Sequence, residues 1–181
     1  MSQLSYVATL LTIPAIALAA VVSFPHRGEA GNKVQVTCDT KTSVPTIIAT
    51  LFNQEQLSEG DTTRSQTTPI LSFLPEYFSS EEASLNCQRT AKSLQVYYTK
   101  GRMNYLASDT IKGKPVVCAL ERRGLSCDSH SSEILFSLDK PVSPTTLLYD
   151  MLGSNFKGSQ IPSSRTVSRI YTDLRPSWWP F

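Results

Sequence analysis

The sequence predicts an α+β domain: an antiparallel or mixed sheet of about six strands with two helices packed on it, closed by two disulfides. Three observations carry that expectation. Short segments with period-two apolar alternation stand on both sides of a long segment with helical periodicity. That long segment has marked ends. The chain has four cysteines, all on or beside the periodic segments.

Lys33 to Cys38 places Val34, Val36 and Cys38 on one side and Gln35 and Thr37 on the other, the pattern of a strand with one wet face. Thr46 to Phe52, after Pro45, is a second strand. Asn53 to Thr68 carries only Leu57 as an apolar residue and reads as a long surface loop. Pro69 ends it, and Ile70 to Leu74 is a short third strand.

A helix is predicted from Ser80 to Lys100. Ser79 with Glu82 three positions on is a capping box, and Gly101 suits a left-handed C-terminal cap. Ala83, Cys87, Thr90, Ala91, Leu94 and Tyr98 fall on one stripe that faces the sheet, so Cys87 points inward. Arg102 to Ser108 and Lys114 to Glu121 then form a hairpin across Asp109 to Gly113. Arg122-Arg123-Gly124 makes the next turn, Leu125 and Cys127 return, and Ile134 to Leu138 is a last core strand. Ser143 as cap, Pro144 at the first helical position and Gly153 at the end bracket a second helix that buries Leu147, Leu148 and Met151. Thr166 to Leu174 is read as one more strand or a short helix.

The domain organisation expected is a leader over residues 1–30, a disulfide-stabilised domain over 31–160 and a C-terminal tail over 161–181. Met1 to Pro25 has no charged side chain, and the run from Val7 to Phe24 is almost wholly apolar. Small residues follow at Ala17-Leu18-Ala19 and Gly28-Glu29-Ala30, and the segment reads as a secretory signal peptide cut after Ala30, with an uncleaved N-terminal anchor as the rival. Export favours pairing of Cys38, Cys87, Cys118 and Cys127. Cys118 and Cys127 flank a tight turn, which leaves Cys38 for Cys87; Cys38 with Cys118 or Cys127 stays open. With no C-x-x-C, neither a metal site nor a catalytic dithiol is indicated, and no cofactor is expected. A net charge of +2 gives no broad field for nucleic acid.

Val36-Thr37-Cys38, Val44-Pro45-Thr46, Pro69-Ile70-Leu71-Ser72-Phe73 with Tyr77-Phe78-Ser79, Asn86-Cys87-Gln88-Arg89, Gly113-Lys114-Pro115-Val116-Val117-Cys118 and Leu135-Phe136-Ser137-Leu138 together resemble the cyanobacterial circadian oscillating polypeptide family. The resemblance covers roughly Val34 to Gly153 and is most specific at the cysteine-bearing helix and the Pro-Val-Val-Cys strand. It departs from the family pattern at Phe73, where a tryptophan is usual, at Asn86-Cys87, where an Arg-Cys pair is usual, in the length of Asn53 to Thr68, and at Lys112-Gly113. It implies an N-terminal export or membrane-targeting segment, four cysteines and extracytoplasmic placement. It implies no active site.

Four features invite a chemical reading. Asp128, Ser129 and His130 hold acid, hydroxyl and imidazole, but neighbours in an extended loop point apart, so a polar loop is the expectation. Glu81 and Glu82 are explained by the helix start. Lys100, Arg102, Lys112 and Lys114, with Tyr97, Tyr98 and Tyr105, are expected to cluster as a solvated charged rim rather than a nucleic-acid or lipid site. Trp178, Trp179 and Phe181 either fold back over the domain or contact a membrane or partner. No catalytic residue is assigned. The function expected is an exported, non-enzymatic binding or accessory domain at the cyanobacterial cell envelope or thylakoid, with an unknown protein or a membrane surface as partner. The alternatives are a hydrolase or hydrolase inhibitor, and a lipid-surface protein held by its aromatic tail.

Overall fold

In the computed structural model, residues 33–52, 65–157 and 169–175 are described. Residues 1–30, read from the sequence as a leader, and Trp178, Trp179 and Phe181 lie outside them. Strands β1 (Lys33–Asp39), β2 (Thr46–Phe52) and β3 (Ser65–Ser72) precede helix α1 (Ser80–Lys100). Strands β4 (Tyr105–Ile111), β5 (Lys114–Leu120) and β6 (Ser132–Ser137), helix α2 (Pro144–Met151), a 3-10 turn (Ser154–Phe156) and strand β7 (Tyr171–Asp173) follow. The class is α+β and the strand pairs are antiparallel.

The strands form two sheets, ordered β1-β2-β3 and β6-β5-β4-β7, rather than one sheet of about six. Both edges of the first sheet are closed by other groups, so the second sheet cannot extend it. At β1 the Val36 N–H donates to Gln95 Oε1 at 2.6 Å and Gln95 Nε2 donates to the Val34 carbonyl at 3.3 Å. The helix thereby supplies, through one side chain, partners that a neighbouring strand would otherwise supply. At β3 the Gly153 N–H donates to the Ile70 carbonyl at 2.9 Å, next to a bridge between Leu71 and Leu152.

Helix α1 starts and stops where the sequence marks it. The Ser79 and Glu82 side chains cap each other's backbone N–H, and Gly101 takes a left-handed conformation (φ 65°) with its N–H on the Tyr97 carbonyl at 2.8 Å. Ala83, Cys87, Thr90, Ala91, Leu94, Tyr97 and Tyr98 form its buried face. The core around it holds a three-ring cluster in which Phe73 lies 5.3 Å from both Phe78 and Phe136, and those two lie 5.8 Å apart, in the tilted and edge-on geometries aromatic quadrupoles favour. Leu147, Leu148 and Met151 of α2 close the same core.

Strand β5 is buried on both faces. Val117 and Ala119 join the main core, whereas Val116, Cys118 and Leu120 join Ala107 and Cys127 in a second, smaller cluster on the outer face of the sheet. Partly buried Tyr105, Ile111, Leu125 and Tyr171 pack round that cluster.

The structure departs from the sequence reading at several places. Strand β3 begins at Ser65, inside the segment read as loop, and Pro69 lies within it. Proline is tolerated because β3 is an edge strand and the register slips between Ile47 and Ile48, opposite Leu71 and Pro69. The β4–β5 turn is shorter than expected, two residues at Lys112 (φ 50°) and Gly113 (φ 78°), the positive-φ pair of a tight hairpin. Leu125 to Cys127 is loop, not a returning strand. Ser143 precedes α2 without capping it, since its hydroxyl meets the Thr145 hydroxyl at 2.9 Å. Gly153 is not a left-handed cap; Leu152 takes the cap position and Gly153 is extended. The domain also reaches past residue 160, because β7 pairs with β4 and Leu174 is buried in the core.

Candidate functional site

The four cysteines are brought together as Cys38 with Cys87 and Cys118 with Cys127, each pair with Cα atoms 5.6 Å apart. The first bridge ties β1 to α1 across the main core. The second pins the loop between β5 and β6 over the small outer cluster. Around that loop several polar groups hold it in place. The Cys127 N–H donates to Asp109 Oδ2 at 3.3 Å, Arg169 Nη2 reaches the same oxygen at 2.7 Å, and Tyr171 Oη donates to the Leu125 carbonyl at 3.0 Å. The Asp109 carboxylate holds the Arg169 guanidinium above its usual range.

Asp128, Ser129 and His130 do not converge. The Asp128 carboxylate accepts from the Ser126 hydroxyl, which keeps its carboxyl below the usual range, and His130 is exposed. Glu82 accepts from the Ser79 N–H at 3.0 Å and the Ser79 hydroxyl at 2.7 Å, and those bonds hold its carboxyl low. Both carboxylates are used by their own turns. Among the described residues no group of three His, Cys, Asp or Glu side chains could hold a metal ion.

The basic cluster read from the sequence is divided by the structure and rebuilt. Lys112 and Lys114 sit at the tip of the β4–β5 hairpin, at the opposite end of β4 from Tyr105, and Lys114 Nζ contacts Asp139 Oδ1 at 2.5 Å. Lys100 and Arg102 stay at the C-terminal end of α1, and three arginines far off in sequence join them. Arg102 lies 3.9 Å from Glu121, the residue before Arg122 and Arg123. The Arg123 guanidinium stands 5.5 Å from the centroid of the Tyr105 ring, within cation–π reach. The Arg175 guanidinium lies over Gly101, 3.2 Å from where a Cβ would be.

The backbone fixes this convergence. The Asn104 N–H donates to the Leu120 carbonyl and the Leu174 N–H donates to the Asn104 carbonyl, both at 2.8 Å, so the start of β4, the end of β5 and the end of β7 share one edge. Tyr98 Oη donates to the Leu174 carbonyl at 2.8 Å, which ties that edge to α1, and burial raises the Tyr98 hydroxyl's pKa. Tyr97 and Tyr98 are core residues rather than part of the rim. Lys100, Arg102, Arg122 and Arg123 are exposed and Arg175 is half-buried. The carboxylates near them include Glu121, Asp173 and Glu133, the last acting on the Tyr97 hydroxyl. The sequence reading missed Arg122, Arg123 and Arg175 as members of this pole. The adjacent Arg-Arg pair in a turn was the available signal, but its proximity to the helix end needs the strand pairing.

Comparison with known proteins adds the family. No curated protein and no solved structure matches the chain. Residues 37–178 match the family model of circadian oscillating protein COP23, and the chain belongs to that family.

Proposed function

We propose that this protein is an exported, non-enzymatic binding or accessory domain working at the envelope or thylakoid of a cyanobacterium. The observation that carries the reading is the sulfur chemistry. Cys87 and Cys118 are fully buried and Cys127 nearly so, each bonded inside a hydrophobic cluster, and such bridges persist in oxidising compartments and are rare in a reducing cytosol. The apolar segment before Pro25 supplies a route out. Family membership agrees with the reading through the resemblance already described. A binding role is supported by the way the polar groups are spent: Asp128 and the Ser126 and Ser132 hydroxyls near His130 fold a loop, and the cations gather on an open surface.

A membrane-impermeant amine-reactive crosslinker, applied to intact cells and followed by purification of the protein, tests this directly. Adducts with envelope components are expected before lysis. Protein that reacts only after lysis, and that a protease digests in the lysate while the thylakoids are still sealed, would overturn the reading.

A further inference from the structure

We propose that the basic pole of Lys100, Arg102, Arg122, Arg123 and Arg175 is the surface on which this domain docks to an anionic lipid bilayer. The proposal names the partner of the binding domain described above and rests on that reading only for where the bilayer is met.

The net charge of +2 conceals a separation of charge along the molecule. Glu81 and Glu82 occupy the first turn of α1 and Lys100 its last. Near the N-terminal end, Asp150 accepts from Tyr77 Oη at 2.5 Å, and Lys140 Nζ reaches the Glu76 carbonyl at 3.3 Å. Asp139 and Lys140 both act on Glu82. Glu76, Glu81, Glu82, Asp139 and Asp150 therefore surround that end, balanced in part by Lys140 and Lys114. The cations of the basic pole surround the other, about 30 Å away along a helix of this length. Facing an anionic surface, a body charged in this way turns its basic end inward and its acidic end to water.

Aromatic groups select a bilayer over other polyanions. Tyr105 lies under Arg123 at the pole. The sequence leaves the described domain at Arg175, within the pole, and continues as Pro176-Ser177-Trp178-Trp179-Pro180-Phe181. Indole rings partition to the headgroup level of membranes, so a cationic surface that leads into two tryptophans combines the electrostatic and interfacial parts of bilayer recognition.

The test is flotation of the purified full-length protein with phosphatidylcholine vesicles, with and without about one-third phosphatidylglycerol, at low salt. The readout is binding to anionic over neutral vesicles, because apolar and aromatic groups contribute to both. The ratio is expected to stand well above one and to fall as salt is raised. Arg122→Glu with Arg123→Glu lowers it about tenfold or more. Lys41→Glu with Lys112→Glu makes the same charge change away from the pole and leaves the ratio within about twofold. Near-UV circular dichroism checks both variants for folding, and Lys100→Gln with Arg102→Gln repeats the test should the arginine pair not fold. A ratio of one for the native protein, or equal losses in the two double variants, overturns the proposal. That result would leave export standing. A cytoplasmic location in intact cells would instead sink the proposed function and leave the vesicle ratio as measured.

Discussion

Gly153 lies against the backbone of Pro69 so closely that a Cβ on it would stand 2.0 Å from the Pro69 carbonyl oxygen. The contact is with backbone, which has no rotamer to yield. The Gly153 N–H is at the same time hydrogen-bonded to Ile70, so the segment after α2 closes the edge of β3 only if position 153 carries no side chain. Gly153→Ala is therefore expected to destabilise the domain by roughly 2–4 kcal/mol, well beyond the usual cost of a surface change. Urea denaturation checks it. A loss under about 0.5 kcal/mol would show that the two segments do not meet in this way.

The two disulfides close loops of different length, with sequence separations of 49 and 9. On chain-entropy grounds the Cys38–Cys87 bridge is worth about 4 kcal/mol and the Cys118–Cys127 bridge about 2.6 kcal/mol. Replacing Cys38 and Cys87 by serine should lower the denaturation midpoint more than replacing Cys118 and Cys127. The second replacement should also speed hydrogen exchange at Leu125 to Ser132, because the outer cluster loses its staple, while α1 keeps its protection.

Gln95 makes the edge of β1 safe. Gln95→Ala removes the partners of the Val36 N–H and the Val34 carbonyl together and is expected to cost about 1–3 kcal/mol. Gln95→Leu should be at least as harmful, since it keeps the bulk without the polar atoms. Equal stability of the glutamine and leucine forms in urea titrations would argue against this role.

The capping box of α1 gives the protein a pH signature. Ser79 holds the Glu82 carboxyl below its ordinary pKa, so the charged form is favoured on folding. Its contribution is therefore present above the unfolded glutamate value of about 4.3 and is lost as pH falls through the lowered folded value. The melting-temperature difference between the native protein and Glu82→Gln should be fixed at neutral pH and close in acid. Ser79→Ala should cost about 1 kcal/mol at neutral pH. A gap that widened in acid would reverse the sign assigned to this carboxylate.

The parts of the fold legible in the sequence are those set by neighbours in the chain. Helix α1 was readable because Ser79, Glu82, Gly101 and a stripe from Ala83 to Tyr98 all act within a few residues of one another. Strands β1, β2 and β5 were readable from alternation and apolar runs. Division into two sheets was not, since it depends on Gln95 and Gly153 closing edges formed far away in sequence. Pro69 reads as a strand breaker, and only its place at an edge with a slipped register removes the conflict. The basic pole was half legible. Lys100 and Arg102 are local to the end of α1, but Arg122, Arg123 and Arg175 arrive through the pairing of β4 with β5 and β7. Lys112 and Lys114 drop out because the two-residue turn sends them to the far end of the hairpin.

Oxidised sulfur in the living cell is the claim on which the proposed function stands. Cells quenched in acid, denatured in an alkylating reagent and analysed by mass spectrometry of the intact protein report every free thiol directly. The expected mass carries no alkyl group and begins at Gly31. A mass with four alkylated cysteines and Met1 in place would contradict the account.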